Sequence, residues 1–139
     1  MAKIAILGYS GHAFVMLDAC KKSGINITYY CEREELSYNP YKLKFFGNET
    51  SNDFAWQLLD GFVLGIGDNY NRKKAAEKIS VNNKKIFKII HPSAIINEMV
   101  TIGEGSLVCS SAVINPLVTI GDYCIINTSS IVEHECKIE

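Results

Sequence analysis

No apolar run in this 139-residue chain approaches the ~20 residues needed to span a bilayer, so a membrane-spanning reading is set aside. Net charge is nearly absent: 14 Lys+Arg against 15 Asp+Glu leave −1. Neither nucleic acid nor a membrane surface is therefore attracted electrostatically. Histidine is scarce, and His12, His91 and His134 have no ligand-like spacing, so no metal site is expected. The five cysteines are odd in number and contain no C-x-x-C pair, so they read as reduced and the chain as cytoplasmic. The apolar start Met1–Leu7 is cut short by Gly8, Ser10, Gly11 and His12 and reads as a buried strand, not a signal peptide.

What the chain does have is a strict period of six. From residue 90 an aliphatic residue returns every sixth position: Ile90, Ile96, Ile102, Val108, Ile114, Ile120, and on through Ile126, Val132 and Ile138. Four residues after each of the first eight stands a small or β-branched residue, from Ala94 and Val100 to Cys124, Ser130 and Cys136. This period is neither helical nor that of a simple strand. It belongs to a hexapeptide parallel β-helix, with the aliphatic residues and the small slots turned inward. Cys124 and Cys136 are therefore expected to pack. His134, between the inward Val132 and the slot of Cys136, is expected on the outer surface.

Residues 1–89 alternate differently. Strands are expected at 3–7, 25–30, 62–66 and 85–89, with a minor one near 43–46. Helices are expected from His12 to Lys22, briefly over 53–58, and from a cap at Asp68 or Asn69 to about Ser80. Arg72, Lys73, Lys74 and Lys78 are assigned to the wet face of that last helix. The βαβ alternation predicts a small parallel sheet with flanking helices, whose ligands bind beyond the carboxyl ends of the strands. His91-Pro92 marks the change of architecture, because Pro92 biases His91 toward an extended backbone. His91 is read as structural.

Two glycine loops lie where such a ligand would sit: Gly8-Tyr9-Ser10-Gly11-His12 and Gly65-Ile66-Gly67-Asp68-Asn69. Glycine permits close backbone approach, and the following helix start offers free N–H groups to a phosphate. The G-x-x-G spacing of the first loop differs from the dinucleotide fingerprint. An ordinary strand-to-helix turn explains it equally well. Glu32, after the second strand, is either an acceptor for ribose or base or one more solvated charge in Glu32-Arg33-Glu34-Glu35. His134 is flanked by Glu133 and Glu135. A carboxylate on one ring nitrogen fixes the tautomer and raises the basicity of the other, and either glutamate is placed to supply it.

The loops, Ile90-His91-Pro92-Ser93-Ala94, and above all the stretch from Asn127-Thr128-Ser129-Ser130 to Glu133-His134-Glu135-Cys136 resemble a known family. It is that of bacterial nucleotide-sugar N-acetyltransferases, which join a Rossmann-like domain to a left-handed β-helix. The bacillosamine-pathway type is the nearest, and sialic acid O-acetyltransferases are relatives. The resemblance covers the whole chain. It implies a Rossmann-like nucleotide-sugar-binding domain over 1–89 and a left-handed hexapeptide β-helix over 90–139. The implied reaction moves acetyl from acetyl-CoA to the amino group of a nucleotide-linked sugar, expected to be a UDP-4-amino-sugar, in bacterial glycan synthesis. His134 matches the general base, Glu135 the acid that orients it, and Asn127 a residue lining the active site. Gly8, Ser10, Gly11 and His12 match the diphosphate and sugar side, Glu32 the nucleoside side, with Gly67 and Asn69 nearby. The family also implies a homotrimer with the active site between prisms.

The resemblance implies further coils that carry much of the CoA site, whereas residues 90–139 make fewer than three turns and leave an open strand edge. The array is thus expected to be incomplete, either truncated or a natural short form; if truncated, it is expected to hold a nucleotide-sugar while transferring acetyl weakly or not at all. Three other readings stand beside the leading one: a non-catalytic nucleotide-sugar-binding form, a sugar O-acetyltransferase, and a trimerising scaffold without a ligand.

Overall fold

A computed structural model describes all 139 residues. The first half is a five-stranded sheet of β1 (Ile4–Leu7), β2 (Tyr29–Cys31), β3 (Lys44–Gly47), β4 (Gly61–Leu64) and β5 (Lys85–Ile86). Every neighbour is parallel and the order is β3-β2-β1-β4-β5. Helices α1 (Gly11–Lys22) and α2 (Asn69–Val81) cover its two faces. Because both faces are covered, β1 and β4 are apolar and buried throughout, as a parallel sheet requires. Their side chains still alternate. Ile4, Ile6 and Val63 pack with Ala13 and Met16 of α1. Leu7, Phe62 and Leu64 pack with Ala76 and Ile79 of α2.

Some expected elements change. The second strand begins only at Tyr29, because Ile25 is spent closing α1, its N–H bonding to the Cys20 carbonyl. The expected helix over 53–58 is a single 3-10 turn at Trp56–Leu58. Phe54 is held there edge-on against Phe46, and Trp56 packs at a tilt against Phe62. The expected strand over 85–89 divides: Ile86 stays in the sheet, whereas Ile89 pairs in register with Leu107 in the second half.

The second half is a prism of nine two-residue strands, one per hexapeptide: β6 (Ile89–Ile90), β7 (Ile95–Ile96), β8 (Thr101–Ile102), β9 (Leu107–Val108), β10 (Val113–Ile114), β11 (Thr119–Ile120), β12 (Ile125–Ile126), β13 (Ile131–Val132) and β14 (Lys137–Ile138). They form three parallel sheets, β6-β9-β12, β7-β10-β13 and β8-β11-β14, as the hexapeptide period requires. Val108, Ala112, Ile114, Val118, Ile120 and Ile126 fill the interior. Cys124 is half-buried, but Cys136 is exposed, contrary to its expected packing role. Its slot lies in the last turn and is covered from one side only.

At the corners the backbone reverses through the left-handed region every six residues: Met99, Gly105, Ser111, Leu117, Tyr123, Ser129 and Glu135, with φ between 57 and 67°. Only Gly105 is free of the steric penalty there. A Cβ on Gly105 would lie 2.7 Å from Tyr123 Cδ1 and 2.9 Å from Ile86 Cγ2, so the prism and the sheet meet at this corner.

The residue before each inward aliphatic points outward and gives the three faces different characters. Ile89 and Leu107 on the first face are fully buried in the α1-side core of the sheet domain. The third face carries Thr101, Thr119 and Lys137, all exposed. The second face carries Ile95, Val113 and Ile131, and there Ile95 is 56% and Ile131 65% exposed. No helix is long and apolar enough to cross a membrane.

Candidate functional site

The strand order reverses between β1 and β4, and both glycine loops leave the sheet at that switch point. The loops touch. Gly8 adopts a φ of 85°, and its carbonyl occupies the place a Gly65 Cβ would need, so Gly65 can carry no side chain. Glu32 binds the first loop from the end of β2, its Oε1 accepting from the Tyr9 N–H at 2.8 Å. That carboxylate is therefore not a free solvated charge. The exposed Ser10 precedes α1 without a side-chain cap, and Gly11 opens the helix with open space where a Cβ would sit. Ala13 N–H donates to the Ser10 carbonyl, while the Gly11 and His12 N–H groups have no backbone acceptor, an arrangement that accepts an anion. At α2 the cap is Asp68, which accepts from the Asn71 N–H at 2.9 Å, and Asn69 is the first helical residue.

Between the sheet domain and the prism lies a cleft of about 660 Å³. His12, Gly67 and Asn69 line it from the loops, and Asn127, Tyr123 and Asp122 from the prism. Of the residues singled out from sequence, the structure thus brings four together. The His12 Nε2 is buried without a hydrogen-bond partner. Burial, and secondarily the charge of Arg72, hold the His12 imidazole below its usual proton affinity, so it is neutral near pH 7.

Arg72 corrects the sequence reading outright. Its side chain lies not on the wet face of α2 with Lys73 and Lys74 but at 1% exposure beneath the cleft. The buried stripe of α2 is Arg72, Ala75, Ala76 and Ile79. The helical spacing of Arg72 from Ala76 and Ile79 was the signal that would have placed it inward.

His134 and Glu135 do not line the cleft. They stand on the prism corner between β13 and β14, 71% and 68% exposed, with His134 Nδ1 2.9 Å from Glu135 Oε2. Glu133 is engaged elsewhere, accepting from Asn115 Nδ2 at 3.1 Å. The choice of carboxylate left open by sequence thus falls on Glu135. Glu135 itself occupies the left-handed corner, with φ 58°. A carboxylate on Nδ1 selects the tautomer that leaves Nε2 free to accept a proton. This corner adjoins the apolar second face and shares it with the exposed Met99 and Leu117. His91, by contrast, is buried at the junction, its Nδ1 accepting from the Ser93 N–H at 3.0 Å.

Comparison with known proteins places this geometry among relatives. A family model described as the PglD N-terminal domain matches residues 3–79. The UDP-N-acetylbacillosamine N-acetyltransferase of Bacillus subtilis (strain 168) is 28% identical over 111 residues, which cover 78% of this chain and 51% of that protein. The crystal structure of PerB from Caulobacter crescentus, in complex with CoA and GDP-perosamine, is 29% identical with a TM-score of 0.86 over 99% of this chain and 65% of that one. The acetyltransferase domain of PglB from Neisseria gonorrhoeae FA1090, in complex with acetyl coenzyme A, shares the fold at 23% identity and a TM-score of 0.84, over 98% of this chain and 66% of that one. The chain thus spans about half the length of the curated relative and about two thirds of the solved ones. With more than half of its residues matched by one family model, the chain belongs to the PglD N-terminal domain family.

Proposed function

We propose that this protein is an acetyl-CoA-dependent N-acetyltransferase acting on a nucleotide-linked amino-sugar in bacterial glycan synthesis. The observation that carries the reading is the 2.9 Å pair of His134 Nδ1 and Glu135 Oε2 on the corner of a hexapeptide prism. The relatives named for sugar N-acetyl transfer, and the CoA and GDP-perosamine held by one of them, support it.

In this reading the loops around Gly8, Ser10, Gly11 and His12 hold the diphosphate and sugar, with Gly67 and Asn69 beside them, Glu32 on the nucleoside side, and Asn127 lining the sugar end. The neutral sugar amine attacks the thioester carbonyl of acetyl-CoA. A C–N bond forms, His134 Nε2, which lies outside this chain's own cleft and so acts from an adjoining copy, takes the amine proton, and the C–S bond breaks to release the thiolate, which is then protonated. Glu135 stabilises the imidazolium that forms. Correct positioning of two substrates is worth several kcal/mol, and a general base ~10²–10⁴-fold. The nucleotide is expected to be UDP and the acceptor a 4-amino group.

The apolar face of Ile95, Val113 and Ile131, exposed at Ile95 and Ile131, supports assembly with two further copies into a trimer. Monomers rarely leave contiguous apolar surface in water, and a copy seated there would shield the otherwise open His134. A thiol-release assay with acetyl-CoA and UDP- or GDP-linked amino-sugars tests the proposal. Release of CoA dependent on an amino-sugar nucleotide is expected. Acetyl transfer only to hydroxyl acceptors would instead favour a sugar O-acetyltransferase, and tight nucleotide-sugar binding without CoA release a non-catalytic binding form.

A further inference from the structure

Arg72 is a charge buried without a counter-ion. Its guanidinium donates four hydrogen bonds, all to backbone carbonyls: Nη1 to Leu64 at 2.9 Å and Ile66 at 3.0 Å, Nη2 to Gly105 at 2.8 Å, and Nε to Tyr123 at 2.7 Å. No carboxylate pairs with it, and burial pushes its pKa down to about 10, so it stays charged near neutrality. Burying an ion costs several kcal/mol unless its hydrogen bonds are satisfied. Packing alone would not justify that cost, because Ala75, Ala76 and Ile79 already seal the rest of the stripe.

The four acceptors fall into two pairs. Leu64 and Ile66 lie at the end of β4 and in the second glycine loop. Gly105 and Tyr123 are left-handed corners of successive coils, 18 residues apart and so one above the other. One planar fork therefore ties the loop to two rungs of the prism, and it lines the floor of the cleft where His12 and Asn69 face Asn127. Lysine offers three donors from a single point and cannot reach four such acceptors in a fixed plane.

We propose that Arg72 is a positioning residue that fixes the Gly65–Asn69 loop on the prism and thereby sets the width of the interdomain cleft. Its kinetic consequence rests on the acetyl-transfer reading; its structural consequence does not. The test compares Arg72→Lys and Arg72→Met with the unaltered protein. Both variants should melt cooperatively, yet backbone amides of 65–69 and around 105 and 123 should exchange with solvent at least tenfold faster. In the transfer assay kcat should fall on the order of 10²-fold, as a displacement of about 1 Å can cause, while KM for the nucleotide-sugar rises less than tenfold. Lysine should not rescue either readout.

Wild-type exchange and kcat in Arg72→Lys would overturn the proposal. So would loss of cooperative folding in both variants, which would make Arg72 a determinant of global stability. If the unaltered protein transfers no acetyl group, the acetyltransferase reading fails, and the exchange rates alone decide the role of Arg72.

Discussion

Glu135 reaches back to the residue before it in the chain: its Oε2 lies 2.9 Å from His134 Nδ1, from a backbone held at φ 58°. Adjacent residues on an extended strand point to opposite sides and cannot pair this way. The corner conformation makes the pair possible. Glu135→Gln keeps the shape but removes the charge that stabilises the imidazolium. Transfer should fall on the order of 10–10²-fold, less than for loss of the base itself. Steady-state kcat at saturating acetyl-CoA and nucleotide-sugar measures it, and an unchanged kcat would remove Glu135 from the mechanism.

Gly105 is where the prism meets the sheet. Gly105→Ala adds a methyl at φ 66° against Tyr123 and Ile86. Left-handed strain and overpacking together should cost about 2–4 kcal/mol. The urea midpoint should fall while the denaturant slope stays constant. Ser111→Ala, at an equivalent but open corner, serves as the control and should shift far less.

Sequence periodicity reached the prism interior because every inward position obeys one rule, from Ile90 to Val132. It did not reach the outer faces, although the signal was present. Residues 89, 107 and 125 are apolar, as are 95, 113 and 131, whereas 101, 119 and 137 are polar. That distinction has a period of 18 and emerges only when hexapeptides are stacked in coils. Arg72 was misplaced for another reason. Its neighbours Lys73 and Lys74 suggested a solvated run, and two of the four carbonyls that hold it come from residues 33 and 51 positions further on. Partners so distant leave no local mark. The loop residues Gly8 and Gly65 were legible as close-approach positions, but their contact with each other was not.

The second prism face carries the assembly argument. Ile131→Asp changes a side chain already 65% exposed, so the fold of one chain should lose no more than ~0.5 kcal/mol. Self-association should be lost: by sedimentation velocity the unaltered protein is expected to run as a trimer and the variant as a monomer. Acetyl transfer should decline with it. An unchanged sedimentation coefficient would show that this face is not the interface.

His12 gives stability a defined pH dependence. Burial and the charge of Arg72 hold its folded pKa below the unfolded value near 6.5. As pH falls from about 6.5 toward the folded pKa, the unfolded state binds a proton that the folded state does not. Stability is therefore complete above that window and declines through it. The melting temperature should drop from pH 7.5 to 5.5, and His12→Gln should shrink the drop. An identical drop in both proteins would assign the dependence to other groups.

The central claim is that His134 removes the proton from an attacking amine. The most direct measurement is the single-turnover rate of CoA release at pH 7.5, with an amino-sugar nucleotide, for the unaltered protein and His134→Ala. Nucleotide affinity is followed in parallel by calorimetry. The account predicts a fall of at least ~10²-fold in rate with affinity unchanged, because His134 lies outside the cleft that His12, Asn69 and Asn127 line. A rate within about threefold of the unaltered protein would contradict it.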